Sequence, residues 1–199
     1  MDRKAPDIDR PLLILDLDET LIHAREEELN RTADFQIFGY HVYRRPYLAD
    51  FLRRVRADFD LAVWSSASDD YVAAVVGHIF SADCPLRFVW GRSRATLMRL
   101  VRDEYGYTYD PWDHRRYLKP LKKVKRMGWR LERMLIVDDT PEKCVRNYGN
   151  AIYPLPFEGD EADAELLSLA AYLSSLKDEP DMRRIEKRRW RELMAASED

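Results

Sequence analysis

The chain has 199 residues, of which 46% are hydrophobic and 12% aromatic, so it can bury a full core as one domain and is not mainly disordered. The net charge of −3 and a pI near 5.9 argue against dedicated nucleic-acid binding. Residues 1–10 are charged and precede a run of only four strongly apolar residues; we therefore expect no signal peptide, no membrane contact and a cytoplasmic location.

Short apolar runs alternate along the chain with amphipathic helical patterns, which is typical of strands joined by helices around a parallel sheet. The predicted strands cover residues 12–15, 61–64, 88–90, 134–137 and 151–155. The predicted helices cover residues 46–55, 69–79, 119–128 and 141–148. Residues 35–43, with Gly39 near their middle, are predicted to form an aromatic hairpin over one end of the sheet. The pattern as a whole indicates an α/β fold.

The first predicted strand ends at two carboxylates in the sequence LLILDLDETL. Residues two apart in an extended chain project to the same side, so Asp16 and Asp18 can face one pocket before Thr20 turns the chain away. Unpaired carboxylates at a buried strand end are costly unless a cation such as Mg²⁺ uses them. With Mg²⁺ screening a phosphate, Asp16 can attack phosphorus while Asp18 protonates the leaving oxygen. This pattern predicts phosphoryl transfer through an aspartyl-phosphate.

Two other interpretations of this loop are less consistent with its sequence. Asp16, Asp18, Thr20 and Glu27 have the spacing of calcium ligands in an EF-hand, but that loop needs glycine where Leu21 stands and a helix before it. The aspartates can also be turn formers at a strand end, which explains one acid better than two.

A serine-rich segment follows the second predicted strand of the sheet. Residues 65–68 read Ser-Ser-Ala-Ser and lead into a predicted helix whose backbone amides can bind phosphate oxygens. Ser65 stands directly at the strand end and is the predicted phosphate ligand. Ser66 or Ser68 more simply caps the helix.

A second acid pair follows the strand predicted at 134–137. Thr140 and Pro141 fit an N-cap and the first position of a helix, but this role does not explain two acids before them. Asp138 and Asp139 can complete an oxygen-rich Mg²⁺ site with Asp16 and the backbone carbonyl of Asp18.

Lys119 precedes a predicted helix that begins with Pro120. A cation is disfavoured at the positive end of a helix dipole unless an anion lies close, and a bound phosphate would supply that anion. One lysine among 33 lysines and arginines is otherwise usually solvated, so this signal is weaker than the acid pairs.

These segments together resemble the haloacid dehalogenase superfamily, and more closely its NLI-interacting-factor-like branch, which contains small phosphatases of the RNA polymerase II carboxy-terminal domain. The resemblance covers about residues 12–173 and rests on DLDETL, WSSAS, YLKPL and IVDDTP in this order. It implies a Rossmann-like core, in which helices flank a central, mainly parallel sheet, with an N-terminal β-hairpin and a small inserted cap. It also implies Mg²⁺ as the cofactor.

The resemblance implies roles for individual residues as well. Asp16 would be the nucleophile and Asp18 the general acid that later activates water. Thr20 would fix the loop within the phosphate site, which also contains Ser65 and Lys119, and the metal site would comprise Asp16, Asp18 through its carbonyl, Asp138 and Asp139. Two positions depart from the pattern: Ser65 stands where this branch usually has Thr, and Asp139 where the eukaryotic polymerase phosphatases usually have Asn.

We predict one phosphatase domain over residues 1–177, with an insertion at about 83–118, followed by a charged helix or tail over 178–199. Residues 86–119 carry eight lysines and arginines against four acids, so Arg92 or Arg94 can pair with an acidic substrate group. In the resembling phosphatases this insertion forms a cap that helps to bind a phosphopeptide. The insertion's aromatic residues and histidine can equally well just pack a small subdomain; they are Trp90, Tyr105, Tyr107, Tyr109, Trp112, His114 and Tyr117.

The C-terminal segment carries many charges together with a few apolar residues at helical spacing. Its apolar side chains are compatible with a weak amphipathic helix that docks on the domain or on a partner; they are Ile185, Trp190, Leu193 and Met194. A docked or solvated helix is the plainer interpretation than a nucleic-acid contact, because acids are interspersed among the basic residues.

The leading hypothesis is therefore a Mg²⁺-dependent phosphatase that acts on phosphoserine or phosphothreonine in a protein or peptide. A small phosphorylated metabolite or nucleotide is the alternative substrate. A hypothesis of another class is a phosphate-binding scaffold without turnover, whose expected mark would be a replaced nucleophile or acid. Both Asp16 and Asp18 are present. The sequence defines no oligomeric state.

Overall fold

Apolar runs form the central layer of the protein, a sheet of five parallel strands. The computed structural model describes residues 10–98, 117–147 and 149–196. In chain order its strands are β1 (Leu12–Leu15), β2 (Ile22–Arg25), β3 (Phe35–Ile37), β4 (Tyr40–Arg44), β5 (Asp60–Trp64), β6 (Leu86–Trp90), β7 (Thr96–Leu97), β8 (Tyr117–Leu118), β9 (Met134–Val137) and β10 (Ala151–Ile152). Its α-helices are α1 (Leu48–Asp58), α2 (Asp69–Ile79), α3 (Lys122–Lys125), α4 (Glu165–Leu176) and α5 (Trp190–Ala195).

The strand order in the central sheet is β10-β9-β1-β5-β6, and each neighbouring pair is parallel. Strand β1 lies in the middle and pairs with β5 on one side and with β9 on the other. The chain order therefore reverses at β1, and ligands of such sheets bind beyond the carboxyl ends of the strands at this point. The predicted α/β fold is confirmed.

Helices cover both faces of this sheet, which explains why its strands are continuously apolar. Successive side chains of a strand alternate between the faces, so Leu13 and Leu15 join one core while Leu12 and Ile14 join the other. The first core contains buried side chains from α1, α2, α4 and α5. The second contains Val124 from α3.

A separate antiparallel sheet, in the order β2-β4-β3, follows the first acid loop. The predicted hairpin is present: β3 and β4 are joined at Phe38 and Gly39, both of which adopt positive φ angles. Arg45, directly after β4, is 1% exposed and ties this sheet to the rest of the domain. Its guanidinium donates to the carbonyl oxygens of Thr20 (3.0 Å) and Leu155 (2.9 Å) and pairs with Asp163 (2.8 Å).

Three predicted elements are shorter than the sequence indicates. The strand expected over 151–155 ends at Ile152, since Pro154 has no N–H for a ladder hydrogen bond. The helix expected over 119–128 is limited to α3, and the chain turns at Gly128, whose φ is +102°. The helix expected over 141–148 is a 3₁₀ turn at Pro141–Cys144, and Tyr148 lies outside the described residues.

Much of the predicted insertion also lies outside the described residues. Strands β7 and β8 pair on either side of residues 99–116, which contain Tyr105, Tyr107, Tyr109, Trp112 and His114. In the described part of the chain, no helix has both the length and the hydrophobicity needed to cross a membrane. The expected cytoplasmic location and the predicted division of the chain after residue 177 stay predictions.

The C-terminal segment packs against the domain through Met182 and Trp190, which are 0% and 1% exposed. The Trp190 ring stacks on Tyr172 of α4 with 5.7 Å between ring centroids, and its indole N–H donates to the carbonyl oxygen of Tyr153 at 3.3 Å. This segment therefore contributes buried apolar surface to the first core.

Replacing Trp190 with alanine removes this buried ring and leaves a cavity, so we expect the Trp190→Ala variant to lose about 3–5 kcal/mol of unfolding free energy. Urea denaturation followed by circular dichroism measures this loss. Arg184→Ala is a suitable control, because the Arg184 side chain is 86% exposed in the same segment. A loss below about 1 kcal/mol for Trp190→Ala would show that this packing contributes little to the fold.

Candidate active site

The carboxyl ends of β1, β5 and β9 meet at one edge of the sheet and bring together three of the predicted site residues. Asp16 follows β1, Ser65 follows β5 and Asp138 follows β9, and all three are at most 1% exposed. The backbone N–H of Asp16 donates to the carbonyl oxygen of Val137 at 2.9 Å, so the parallel pairing of β1 and β9 sets the distance between the two acid pairs.

Three carboxylates form a cluster at this edge. Asp16, Asp138 and Asp139 each offer one oxygen, and these three oxygens lie within 4.8 Å of one another. Two threonines hold Asp139: its N–H donates to the Thr20 hydroxyl oxygen at 3.2 Å, and the Thr140 hydroxyl donates to its carboxylate at 3.1 Å. Thr20 therefore positions Asp139, and the prediction that Thr20 contacts phosphate stays a prediction.

Two lysine ammonium groups lie among these carboxylates. Lys119 is completely buried, and its Nζ lies 2.7 Å from Asp16 Oδ2 and 2.6 Å from Asp138 Oδ2. Lys143 is 4% exposed, and its Nζ lies 3.2 Å from Asp16 Oδ2 and 3.8 Å from Asp138 Oδ1. Two carboxylates of the protein therefore lie beside Lys119, and the prediction that Lys119 contacts phosphate stays a prediction.

These charges shift the pKa values of their neighbours in opposite directions. Burial alone would raise the pKa of Asp16, but the attraction of Lys119 and Lys143 outweighs burial and holds this pKa below its usual range. Burial and the charge of Asp16 raise the pKa of Asp138. Burial lowers the pKa of Lys119, yet Asp138 and Asp16 outweigh it, so this pKa is raised overall. Asp16 is therefore held as a carboxylate.

Asp18 has a different environment from Asp16, although the two residues belong to one loop. Its Oδ1 accepts a hydrogen bond of 2.8 Å from the Tyr71 hydroxyl, and its Oδ2 lies 3.4 Å from the Ser65 hydroxyl. Burial and the nearby Asp16 charge raise the pKa of Asp18. Asp16 is therefore a carboxylate, whereas Asp18 holds a proton more tightly.

A cavity of about 530 Å³ opens beside Asp18. Its described walls include Asp18, Ser66, Ser68, Tyr71, Arg92 and Lys143, together with the aromatic rings of Phe38 and Tyr40. The two arginines predicted to bind substrate are separated. Arg92 borders this cavity and donates from Nε to the carbonyl oxygen of Ser66 at 2.8 Å, whereas Arg94 lies over the Trp90 ring in a neighbouring groove.

The acid cluster fits a small hard cation. Mg²⁺ binds oxygen ligands at about 2.1 Å in an octahedron, which places those oxygens about 3 to 4 Å apart. The oxygens of Asp16, Asp138 and Asp139 need only a short approach to reach this spacing. Asp18 contributes no side-chain oxygen to this cluster, and the predicted role of its backbone carbonyl stays a prediction.

Comparison with known proteins identifies the family. The sequence model of the NLI interacting factor-like phosphatase family matches residues 11–183. The chain belongs to this family. The resemblance indicated by the four sequence motifs is therefore confirmed.

Similar proteins from several organisms share this family's domain. They include nuclear envelope morphology protein 1 of Saccharomyces cerevisiae (27% identical, covering 87% of this chain and 40% of that protein), CTD small phosphatase-like protein 2 of Dictyostelium discoideum (29%, 86% and 28%) and carboxy-terminal domain RNA polymerase II polypeptide A small phosphatase 1 of Homo sapiens (30%, 90% and 64%). The chain spans less than two thirds of each of these relatives.

A solved structure shows that the fold is shared. The structure of Fcp1, described as an essential RNA polymerase II CTD phosphatase, matches with a TM-score of 0.55 and 15% identity, covering 96% of this chain and 62% of that one. The NLI interacting factor-like domain described here therefore has the fold of that phosphatase.

Two residues at the site of this family member were not identified from the sequence. Lys143 lies five positions after Asp138, and the 3₁₀ turn at Pro141–Cys144 brings its side chain back to the acids. Tyr71 lies in the first turn of α2, where its hydroxyl reaches Asp18. The only available signal was their short distance in sequence from IVDDTP and WSSAS, since each residue type alone is common on helices and turns.

Replacing Lys119 with methionine removes the ammonium that Asp16 and Asp138 share and leaves their buried charge poorly compensated. We expect Lys119→Met to lower the unfolding free energy by about 3–5 kcal/mol in metal-free buffer, measured by urea denaturation. Lys125→Met, at an exposed lysine of α3, is the matched control and should change it by less than about 0.5 kcal/mol. Equal stability of the two variants would contradict the role of Lys119 in holding the site together.

Proposed function

We propose that this protein is a Mg²⁺-dependent phosphatase that hydrolyses phosphoserine or phosphothreonine in proteins through an aspartyl-phosphate. The observation that supports this proposal best is the pairing of two aspartates from one loop. Asp16 lies among two ammonium groups and two further carboxylates, while Asp18 faces the cavity with its carboxyl group held by Tyr71.

In the first step, a carboxylate oxygen of Asp16 attacks the phosphorus atom of the monoester. A bond forms between this oxygen and phosphorus, and the bond between phosphorus and the serine or threonine oxygen breaks. Asp18 donates its proton to the departing oxygen, which leaves as a neutral hydroxyl group. The short hydrogen bond from Tyr71 fixes the direction of the Asp18 carboxyl group toward the cavity.

In the second step, water hydrolyses the aspartyl-phosphate. Asp18, now ionised, removes a proton from the water molecule as its oxygen bonds to phosphorus. The bond between phosphorus and Asp16 breaks, which releases inorganic phosphate and restores the Asp16 carboxylate. Lys119 stays beside Asp16 throughout and stabilises negative charge on its oxygens.

Four site residues bind the metal ion or the phosphate in this proposal. Asp16, Asp138 and Asp139 would hold Mg²⁺, which when bound supplies positive charge that offsets the charge on the phosphate oxygens. Ser65 lies at the end of β5 and is the proposed hydroxyl ligand of the phosphate. Its oxygen already accepts the backbone N–H of Ala67 at 3.0 Å, so its orientation is fixed before substrate binds.

The surface around the cavity supports a protein substrate. Phe38 at the tip of the hairpin is 65% exposed, and Tyr40 packs edge-on against Tyr71 with 6.3 Å between ring centroids. Exposed aromatic rings beside a phosphate site offer contact area for residues next to a phosphorylated serine or threonine. The human relative is named as a small phosphatase of the carboxy-terminal domain of an RNA polymerase II polypeptide, which also supports a protein substrate. We propose Arg92 as the residue that pairs with an acidic group of such a peptide.

Asp16→Asn keeps the size of the side chain but removes the nucleophile. With Mg²⁺ present, we expect phosphate release from an aryl phosphate, from phosphopeptides and from small phosphorylated metabolites to fall by at least about 10³-fold. Asp50→Asn, at an exposed acid of α1, is the control and should retain activity. Wild-type turnover of metabolites alone would contradict the proposed substrate class, and turnover that survives in Asp16→Asn would contradict the covalent mechanism.

Asp18→Asn tests the proton donor through the dependence on leaving group. A serine oxygen needs a proton in order to leave, whereas p-nitrophenolate leaves without one. We therefore expect Asp18→Asn to lose at least about tenfold more activity on phosphopeptides than on p-nitrophenyl phosphate. The ratio of kcat/KM values for the two substrates measures this difference. Equal losses on both substrates would assign Asp18 to another role.

A further inference from the structure

Lys143 occupies an unusual position for a lysine, inside the acid cluster rather than on the surface. Its ammonium lies 3.2 Å from Asp16 Oδ2 and 3.8 Å from Asp138 Oδ1, and the negative charge of Asp139 also attracts it. These three acids are the ones whose oxygens fit a divalent cation. The ammonium of Lys143 therefore competes for the same negative charge as that cation.

The two lysines of the site differ in the space available to them. Lys119 is 0% exposed and bridges Asp16 and Asp138 with two short contacts. Lys143 borders the cavity, so its side chain has open space on one side. Rotation about the bonds of the four-carbon lysine stem allows the ammonium to move several ångströms without moving the backbone. Of the two lysines, Lys143 is therefore the one whose ammonium can leave the acid cluster when a cation binds.

Lys143 also stands between the nucleophile and the cavity. Asp16 is 1% exposed, and its Oδ2 is in contact with both ammonium groups, while its Oδ1 accepts the backbone N–H of Leu17 at 2.8 Å. Attack on a phosphate in the cavity requires an oxygen of Asp16 to become accessible. Because Lys143 borders the cavity, a movement of its ammonium away from Asp16 and into the cavity would free this oxygen and place the ammonium where phosphate oxygens would bind.

We propose that Lys143 is an internal counter-ion that takes the place of the divalent cation in the metal-free site and becomes a second phosphate ligand when the cation binds. This inference rests on the proposed phosphatase function for the identity of the anion, but not for the competition with metal. It predicts opposite effects of one substitution: removal of the ammonium strengthens metal binding and weakens phosphate binding.

The first experiment measures metal binding without substrate. The purified wild-type protein and its Lys143→Met and Lys143→Gln variants are titrated with Mn²⁺, and free Mn²⁺ is followed by electron paramagnetic resonance. We expect both variants to bind Mn²⁺ about tenfold more tightly, since a like charge has left the site. Lys143→Arg keeps the charge and should bind like wild type, as should Lys125→Met. Unchanged or weaker Mn²⁺ binding in folded Lys143→Met and Lys143→Gln overturns the proposal.

The second experiment measures inorganic phosphate binding by isothermal titration calorimetry at saturating Mg²⁺. We expect Lys143→Met and Lys143→Gln to bind phosphate at least about tenfold more weakly than wild type, because a charge-assisted contact is lost. Lys143→Arg should recover most of this affinity. Phosphate affinity equal to that of wild type in the charge-free variants would overturn the role as a phosphate ligand.

The two binding measurements test the role of Lys143 independently of the proposed phosphatase function. If no phosphomonoester is hydrolysed by wild type while Lys143→Met binds Mn²⁺ more tightly and phosphate more weakly, the phosphatase assignment fails and the role of Lys143 stands. If turnover depends on Asp16 while both affinities are unchanged in Lys143→Met and Lys143→Gln, the phosphatase assignment stands and the role of Lys143 fails.

Discussion

The burial of like charges at the ends of two adjacent strands is the constraint on which the rest of the site depends. Parallel pairing of β1 and β9 places Asp16 and Asp138 side by side, where water does not screen their repulsion. Lys119 lies between them, and its backbone N–H donates to the carbonyl oxygen of Lys143 at 2.9 Å. The two segments that supply the positive charge are therefore bound to each other as well as to the acids.

Asn147 stabilises the backbone on either side of Pro120 and so supports the position of Lys119. Its side-chain amide donates to the carbonyl oxygen of Lys119 at 2.8 Å and accepts the N–H of Leu121 at 2.9 Å. Lys119 thus gains a fixed backbone position although the helix that follows it has only four residues. On the opposite side of the loop, Arg45 holds the carbonyl oxygen of Thr20 and so links the acid loop to the antiparallel sheet that carries the cavity's aromatic rings.

The sequence predicts the features of this site that arise from local patterns. Strands β1 and β9 are fully apolar because both their faces are buried, and acids directly after such strands must lie at one edge of the sheet. This pattern predicts that Asp16, Ser65, Asp138 and Asp139 lie together at that edge. The resemblance to known phosphatases implies a role for Lys119, whose own local signal is weak.

Other features depend on contacts that no local pattern encodes. The sequence does not show that Lys143 turns inward, because this requires both a tight turn after Pro141 and a pair of acids on neighbouring strands. It also does not separate Arg92 from Arg94, which differ in whether they face Ser66 or the Trp90 ring. The helix predicted over 119–128 begins later for a related reason, since Asn147 takes the hydrogen bonds of the Lys119 carbonyl oxygen and the Leu121 N–H.

The cysteine beside the acid cluster has a consequence for oxidative chemistry. Cys144 is 1% exposed, its sulfur lies 3.9 Å from Asp138 Oδ2, and burial together with that carboxylate raises the pKa of the thiol well above its usual value. Only a thiolate reacts readily with peroxide, so this sulfur stays a protonated, inert neighbour of the carboxylates. The nucleophile proposed above is an oxygen of Asp16, which peroxide does not oxidise, so the proposed reaction would withstand oxidants that inactivate enzymes with a nucleophilic cysteine.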